Sequence, residues 1–297
     1  MASNDKSLIQ DDFDEIGISF TCNQDKLFAI IHATQSANEH ALVFVVGGPQ
    51  YRAGSHQQFT LLARRFAESN IPSLRFDYRG MGDSEGESRD FLSIQDDIRA
   101  AIDAFFYRIP TLKKVSLWGL CYGASAAILY APSDARVTGI IAVNPWVHTE
   151  VGQAKAILKY YYWKRITSKD FWQKLVRLEF SFTLAWKSFY QQITTAISQG
   201  SRTLKTNDHA SINASGLPKQ IFDALTHFNG NVFFITCAED LTAQEFLQLA
   251  RSSNAWKKLL STKRFTSKTL PDANHTFSRK AWRDQIAVWS TEWLQNR

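Results

Sequence analysis

The chain has 297 residues, a net charge of +6 at neutral pH, 44% apolar residues and 21% charged residues. This is ordinary globular composition, long enough for one large α/β domain with an insertion, and it excludes a disordered or fibrous chain. Three cysteines (Cys22, Cys121, Cys237) without metal-type spacing argue against a disulfide framework or a zinc site and for a reducing compartment.

The opening MASNDKSLIQDDFDE is polar and acidic, so residues 1–14 are expected as a loose tail with no signal peptide. No stretch approaches the ~20 apolar residues of a spanning helix. A cytosolic location is the expectation. Ile16–Cys22 and Lys26–Ala33 flank the turn Asn23-Gln24-Asp25 and predict a β-hairpin. Ala41–Val46 (ALVFVV) is a buried strand stopped by Gly47-Gly48-Pro49. Gln57–Ser69 predicts a helix with Phe59, Leu62, Ala63 and Phe66 on one face. Pro72–Tyr78 reads as a strand running into Arg79-Gly80-Met81-Gly82-Asp83-Ser84. Ile94–Tyr107 reads as a helix with Ser93 as N-cap and Asp96 and Asp97 in its first turn.

Lys114–Ser125, KVSLWGLCYGAS, is the most informative stretch. A buried strand (Val115, Leu117, Trp118) enters Gly119-Leu120-Cys121-Tyr122-Gly123, and a helix of small residues follows. This is the pattern of a nucleophile elbow with cysteine where serine is usual. The central residue of such a turn needs positive φ, and side chains two places either side would collide, hence Gly119 and Gly123. The helix start beyond it would stabilise a thiolate. Taken alone, the pentapeptide is equally compatible with a small buried cysteine.

Val137–Val143 is a further buried strand, closed by Asn144-Pro145. Alternation breaks after Trp146. Residues 151–218 are helical in period, rich in rings from Tyr160 to Tyr190, and carry ten Lys or Arg against three acids up to Leu217. A helical cap inserted into the core (15–150 and 219–297) is expected there. Its basic surplus suits an acidic or carrier-linked small molecule, or is simply a solvated face; no nucleic-acid motif is present. The sheet resumes at Asn231–Thr236, followed by Cys237-Ala238-Glu239-Asp240 and a helix at Thr242–Ser252. A short strand, Lys268–Leu270, leads into a loop with His275, and Lys280–Leu294 closes the chain as a helix with Trp282, Ile286, Trp289 and Trp293 on one stripe. Strands alternating with helices predict a mostly parallel sheet covered on both faces, with function at the carboxyl ends of the strands.

Cys121, Asp240 and His275 stand in the chain order nucleophile, acid, histidine. Asp240 could instead cap the helix after it, with Glu239 as rival acid; His209 and His227 are rival histidines. His275 is preferred because a strand leads in and a helix leads out. The oxyanion donors are expected from the backbone N–H of Tyr122 and from Gly48, with Gln50 the alternative because Pro49 has no N–H. Tyr51, Arg52 and His56 are candidates for contacting substrate; Arg79 and Asp83 are expected to brace loops.

The chain resembles the α/β-hydrolases along nearly its whole length. Gly47-Gly48-Pro49-Gln50-Tyr51-Arg52, the RGMGDS turn, Gly119-Leu120-Cys121 and Asn144-Pro145-Trp146-Val147 look more closely like the exosortase A system-associated hydrolases, although Tyr122 stands where an acidic residue would be expected. That resemblance implies a cytosolic hydrolase-fold protein linked to exopolysaccharide loci, with no metal or organic cofactor and no assigned substrate. Dienelactone hydrolases are similar in using a cysteine elbow. The expected activity is cleavage of an ester or thioester through an acyl-cysteine. Acyl transfer to a sugar or carrier hydroxyl, or non-catalytic binding through the cap, are the alternatives.

Overall fold

A computed structural model describes residues 13–35, 38–48, 50–147 and 216–297. Contacts divide the chain into two units, Met1–Val147 with Lys219–Arg297, and His148–Pro218. The cap expected at 151–218 lies, but for its last three residues, outside the described residues.

Eight strands form one sheet: β1 (Phe13–Cys22), β2 (Asp25–Thr34), β3 (His40–Val45), β4 (Ser73–Phe76), β5 (Lys114–Leu120), β6 (Val137–Val143), β7 (Asn231–Cys237) and β8 (Phe265–Leu270). Their order is β1-β2-β4-β3-β5-β6-β7-β8. The β1–β2 and β2–β4 pairs are antiparallel and the remaining pairs parallel. The described helices are α1 (Gln58–Glu68), α2 (Gln95–Arg108), α3 (Tyr122–Tyr130), α4 (Leu217–His227), α5 (Leu241–Ser252), α6 (Asn254–Leu260) and α7 (Lys280–Gln295). This is the α/β-hydrolase fold, as expected.

The central strands are apolar on both faces because both faces are covered. Val115, Leu117 and Trp118 of β5 and Ile140, Ile141 and Val143 of β6 are all buried. One core joins Phe44, Trp118, Ile141 and Phe233 of the sheet to Phe59, Leu62 and Phe66 of α1 and Ile286, Ala287 and Trp293 of α7. Tilted and edge-on ring contacts tie Trp118 to Phe44 (5.4 Å) and Phe59 (5.6 Å) beneath the elbow.

Several expectations shift. The strand β1 begins at Phe13, inside the stretch expected as tail. Ser93 does not cap α2: its hydroxyl donates to Asp90, and Ile94 holds the cap position without a side-chain bond. Asp97, in the first turn of α2 as expected, is fully buried and accepts from Arg79 Nε and Nη2, both at 2.9 Å. That pairing anchors the RGMGDS turn to α2.

Candidate active site

The loops after β3, β5, β7 and β8 meet at the carboxyl edge of the sheet. Cys121 has φ 56° and ψ −117° and is the residue before α3. Few residues adopt that conformation, and it persists only because its surroundings fix it. A Cβ on Gly119 would lie 2.4 Å from the Gly123 backbone, and one on Gly123 would lie 2.1 Å from the Val45 carbonyl oxygen. Both elbow glycines are therefore required by contact. The thiol is partly exposed, whereas Cys22 and Cys237 are buried. Burial pushes the Cys237 thiol up to about 12 and also raises Cys22.

Asp240 closes β7 and His275 follows β8. His275 Nδ1 lies 2.7 Å from Asp240 Oδ2, and the nearby Cys121 also acts on the imidazole. The three groups therefore come together at this edge of the sheet. The capping role of Asp240 is real as well: its Oδ1 accepts from the Thr242 N–H at 3.1 Å. One carboxylate serves both purposes, which fixes its orientation toward the ring. Glu239 is exposed and lies outside this arrangement, and His227 Nδ1 faces the Asp223 carbonyl on α4. His209 lies outside the described residues. The hydrogen bond that His275 donates to Asp240, then the influence of Cys121, raises the His275 pKa to about 10 against the opposing effect of burial.

The loop carrying His275 is stiffened from both sides. Asn274 exchanges bonds with Ser278 at 2.8 and 3.1 Å, and Arg283 of α7 donates to the carbonyls of Phe277 (3.0 Å) and Ser278 (2.8 Å).

Tyr122 is the first residue of α3, so its N–H has no acceptor within the helix. In the facing loop, the Gln50 N–H is spent on the Gly48 carbonyl (2.8 Å), which also accepts from Tyr78 Oη (3.1 Å). Of the two donors expected from that loop, Gln50 is thus engaged. Gly47 permits the approach: a Cβ there would stand 2.0 Å from the Gly123 nitrogen.

Arg52 is engaged inside the protein. Its guanidinium bonds Asp77 and, at 2.6 Å, Asp83, while its N–H donates to Asp77 at 2.6 Å. Its carbonyl accepts from Arg75 at 2.9 Å. This arrangement gives Arg52 the work of bracing the loop after β3. Tyr51 and His56 are exposed on the same loop.

The rings around the elbow escaped the sequence reading. Tyr122, Phe91 and Trp146 pack as a cluster with centroids 4.7–5.5 Å apart. Trp146 N–H donates to the Cys121 carbonyl (3.4 Å) and its carbonyl accepts from Ser125 (2.6 Å). The signal was the Asn144-Pro145-Trp146-Val147 segment, placed after a core strand but given no role.

A family model for serine aminopeptidase S33 hydrolases matches residues 37–196, just over half of the chain. The chain belongs to that family. Its elbow departs from the family's name in carrying cysteine rather than serine. The polyketide transferase grgF of a Penicillium species is 36% identical over 90 residues, 29% of this chain and 31% of that protein. The quorum-quenching protein AidA of Acinetobacter baumannii is 28% identical over 136 residues, 44% of each chain. The chain therefore spans less than half the length of these relatives. Among solved structures, the Pyrococcus furiosus esterase Pf2001 superposes with a TM-score of 0.64 at 14% identity, covering 96% of this chain and 91% of that one. The Penicillium α/β-hydrolase GrgF superposes with a TM-score of 0.63 at 18% identity, covering 95% and 98%. At these identities the superpositions speak to fold alone. Among the described residues, no helix is long and apolar enough to cross a membrane.

Proposed function

We propose that the protein is an esterase or thioesterase that works through an acyl-cysteine at Cys121. The observation that carries this reading is the 2.7 Å His275–Asp240 bond beside Cys121, which sits at positive φ ahead of a helix. Cys121 Sγ attacks the acyl carbon, and its proton passes to or already rests on His275, whose other nitrogen is held by Asp240. Charge develops on the carbonyl oxygen between the N–H groups of Tyr122 and Gly48. Each such donor lowers the barrier by about 3 kcal/mol. The tetrahedral species collapses, the bond to the leaving group breaks, and His275 protonates that group. Water then loses a proton to His275 and attacks the thioester carbon. The acid departs and Cys121 regains its starting state.

A second reading, acyl transfer, is supported by the likeness to a polyketide transferase. In it a hydroxyl on a sugar or carrier replaces water in the second half-reaction and no other residue changes role. The resemblance to exosortase-associated hydrolases would make that acceptor a glycan precursor in the cytoplasm, and the basic residues of 151–217 would suit an acidic or carrier-linked substrate.

The test is intact-protein mass after mixing with short- and long-chain acyl esters and acyl-thioesters, on wild type, Cys121→Ala and His275→Ala. A transient acyl adduct on wild type that is absent from Cys121→Ala is expected. Its decay should quicken on adding a hydroxyl acceptor if transfer is the reaction, and stay unchanged if hydrolysis is. A folded wild type that forms no adduct and turns over no donor would overturn the enzymatic reading in favour of a binding protein.

A further inference from the structure

The loop after β3 carries the Gly48 N–H assigned above to the developing oxyanion. Its own backbone does little to hold that group in place. Gly47 and Gly48 adjoin, and Gly48 sits at φ 68°, in a region that glycine enters and leaves without a steric barrier from a side chain. A peptide plane that turned over there would carry its N–H away from the reacting carbonyl. The loop therefore has to be restrained from outside.

The restraint comes from β4 and the residues that leave it. Arg75 donates to the Arg52 carbonyl at 2.9 Å, and Asp77 accepts from the Arg52 N–H at 2.6 Å. These two hold the far end of the loop. Tyr78 reaches the near end, where its hydroxyl donates to the Gly48 carbonyl at 3.1 Å. Among the described residues, no other side chain is hydrogen-bonded to Gly48. Tyr78 is buried, and burial pushes its phenol up to about 12, so the hydroxyl keeps the proton that it donates. The Tyr122 ring closes on the same glycine: a Cβ on Gly48 would stand 3.1 Å from Tyr122 Cδ2. Gly48 is thus gripped through its carbonyl by Tyr78 and packed against the residue whose N–H is the other donor.

We propose that Tyr78 is a positioning residue for acylation: through the Gly48 carbonyl, its hydroxyl keeps the Gly48 N–H aimed at the oxygen of the acyl group that Cys121 attacks. The role rests on the acyl-cysteine reading. It adds to that reading a residue that acts only through the backbone of Gly48, and it gives the strand exit at Asp77-Tyr78 a part in the chemistry.

The probe is p-nitrophenyl butyrate, with nitrophenolate release followed for the full chain as wild type and as Tyr78→Phe. The substitution keeps the buried ring, and the Gly48 carbonyl retains the Gln50 N–H at 2.8 Å, so no acceptor is orphaned. The melting temperature should fall by no more than about 4 °C. Turnover should fall in kcat by about tenfold or more with KM within about twofold, because both half-reactions pass through an oxyanion that the bound ester lacks. Alkylation of Cys121 by iodoacetamide supplies the contrast. It is a displacement at a methylene carbon and forms no oxyanion, so its rate should be the same in both proteins. An undiminished kcat in Tyr78→Phe would overturn the positioning role. So would alkylation slowed in step with turnover, or a far larger fall in melting temperature, since these place the damage in the thiol or the fold. A wild type that forms no acyl-Cys121 adduct and releases no nitrophenolate would instead overturn the acyl-cysteine reading, and this role with it.

Discussion

At the scale of single residues, the site divides its three cysteines sharply. Cys121 is partly exposed, touches His275 and precedes a helix, while Cys22 and Cys237 are buried with raised pKa values. A partly exposed thiol beside a histidine should react faster than a buried one. Iodoacetamide at pH 7 is therefore expected to alkylate Cys121 alone, at a rate that falls toward the ordinary value in His275→Ala; peptide mapping of the adduct checks it. Equal labelling of Cys22 or Cys237 would refute the activation. Arg52 tests a different expectation. Arg52→Ala strips the partner from Asp77, whose side chain is wholly buried. Breaking such a pair typically costs about 3 kcal/mol or more. A large fall in melting temperature is expected, whereas a substrate-contacting arginine would raise KM with the melting point unchanged. Cysteine, acid and histidine could be picked out in sequence because each follows a strand. The double duty of Asp240, binding Thr242 N–H and His275 with different oxygens, could not. In sequence the capping and catalytic readings look like competitors, and only the two separate oxygens reconcile them.

At the scale of elements, the elbow and the loop after β3 are one packed unit. The approach of Gly47 to Gly123 leaves no room for a methyl group, since a Cβ would stand 2.0 Å from backbone nitrogen. Backbone cannot yield as a flexible side chain can, and overpacking typically costs 1–3 kcal/mol (~2 kcal/mol here). Gly47→Ala is expected to lower stability by about that amount and to lower kcat by at least tenfold, because the Gly48 donor moves with its loop. Urea denaturation and steady-state rates measure the two effects; a kcat at the wild-type value would detach the loop from the chemistry. Strands such as β5, β6 and β7 announced themselves because burial on both faces leaves them mostly apolar. The short α6 (Asn254–Leu260) and the helix α4 (Leu217–His227) went unread. The first is only seven residues long, and the second followed a polar stretch that hid its start. Ser93 misled because a serine before an acidic turn looks like a cap, while Asp90 competes for its hydroxyl.

At the scale of the whole molecule, histidines set opposing pH limits. His32 is buried on β2 and its Nε2 accepts from Arg75 Nε at 2.9 Å, which requires the neutral ring. Burial, aided by Arg75, lowers its pKa to about 4. Burial, aided by Lys114, does the same to His40, which meets Ser116 at 2.9 Å. In the unfolded chain both titrate near 6.5, so as pH falls from 6.5 to 4 the unfolded state takes up protons that the folded state refuses. Stability is therefore lost over that interval. His275 works in the other direction: its folded pKa is raised to about 10, so its contribution is fully present below 6.5 and is lost as pH rises through 10. The molecule should thus be steadiest near pH 6.5, while the charged His275 beside Asp240 survives well to the alkaline side. Melting temperatures measured from pH 4 to pH 10.5 should pass through that maximum. The gap between wild type and His275→Ala should be widest near pH 6 and vanish above about pH 10. His40→Gln should flatten the acid limb without touching the alkaline one. An acid limb unchanged in His40→Gln would mean that the fold accepts a charged ring beside Ser116, and the loss of stability would then have to come from carboxylates instead.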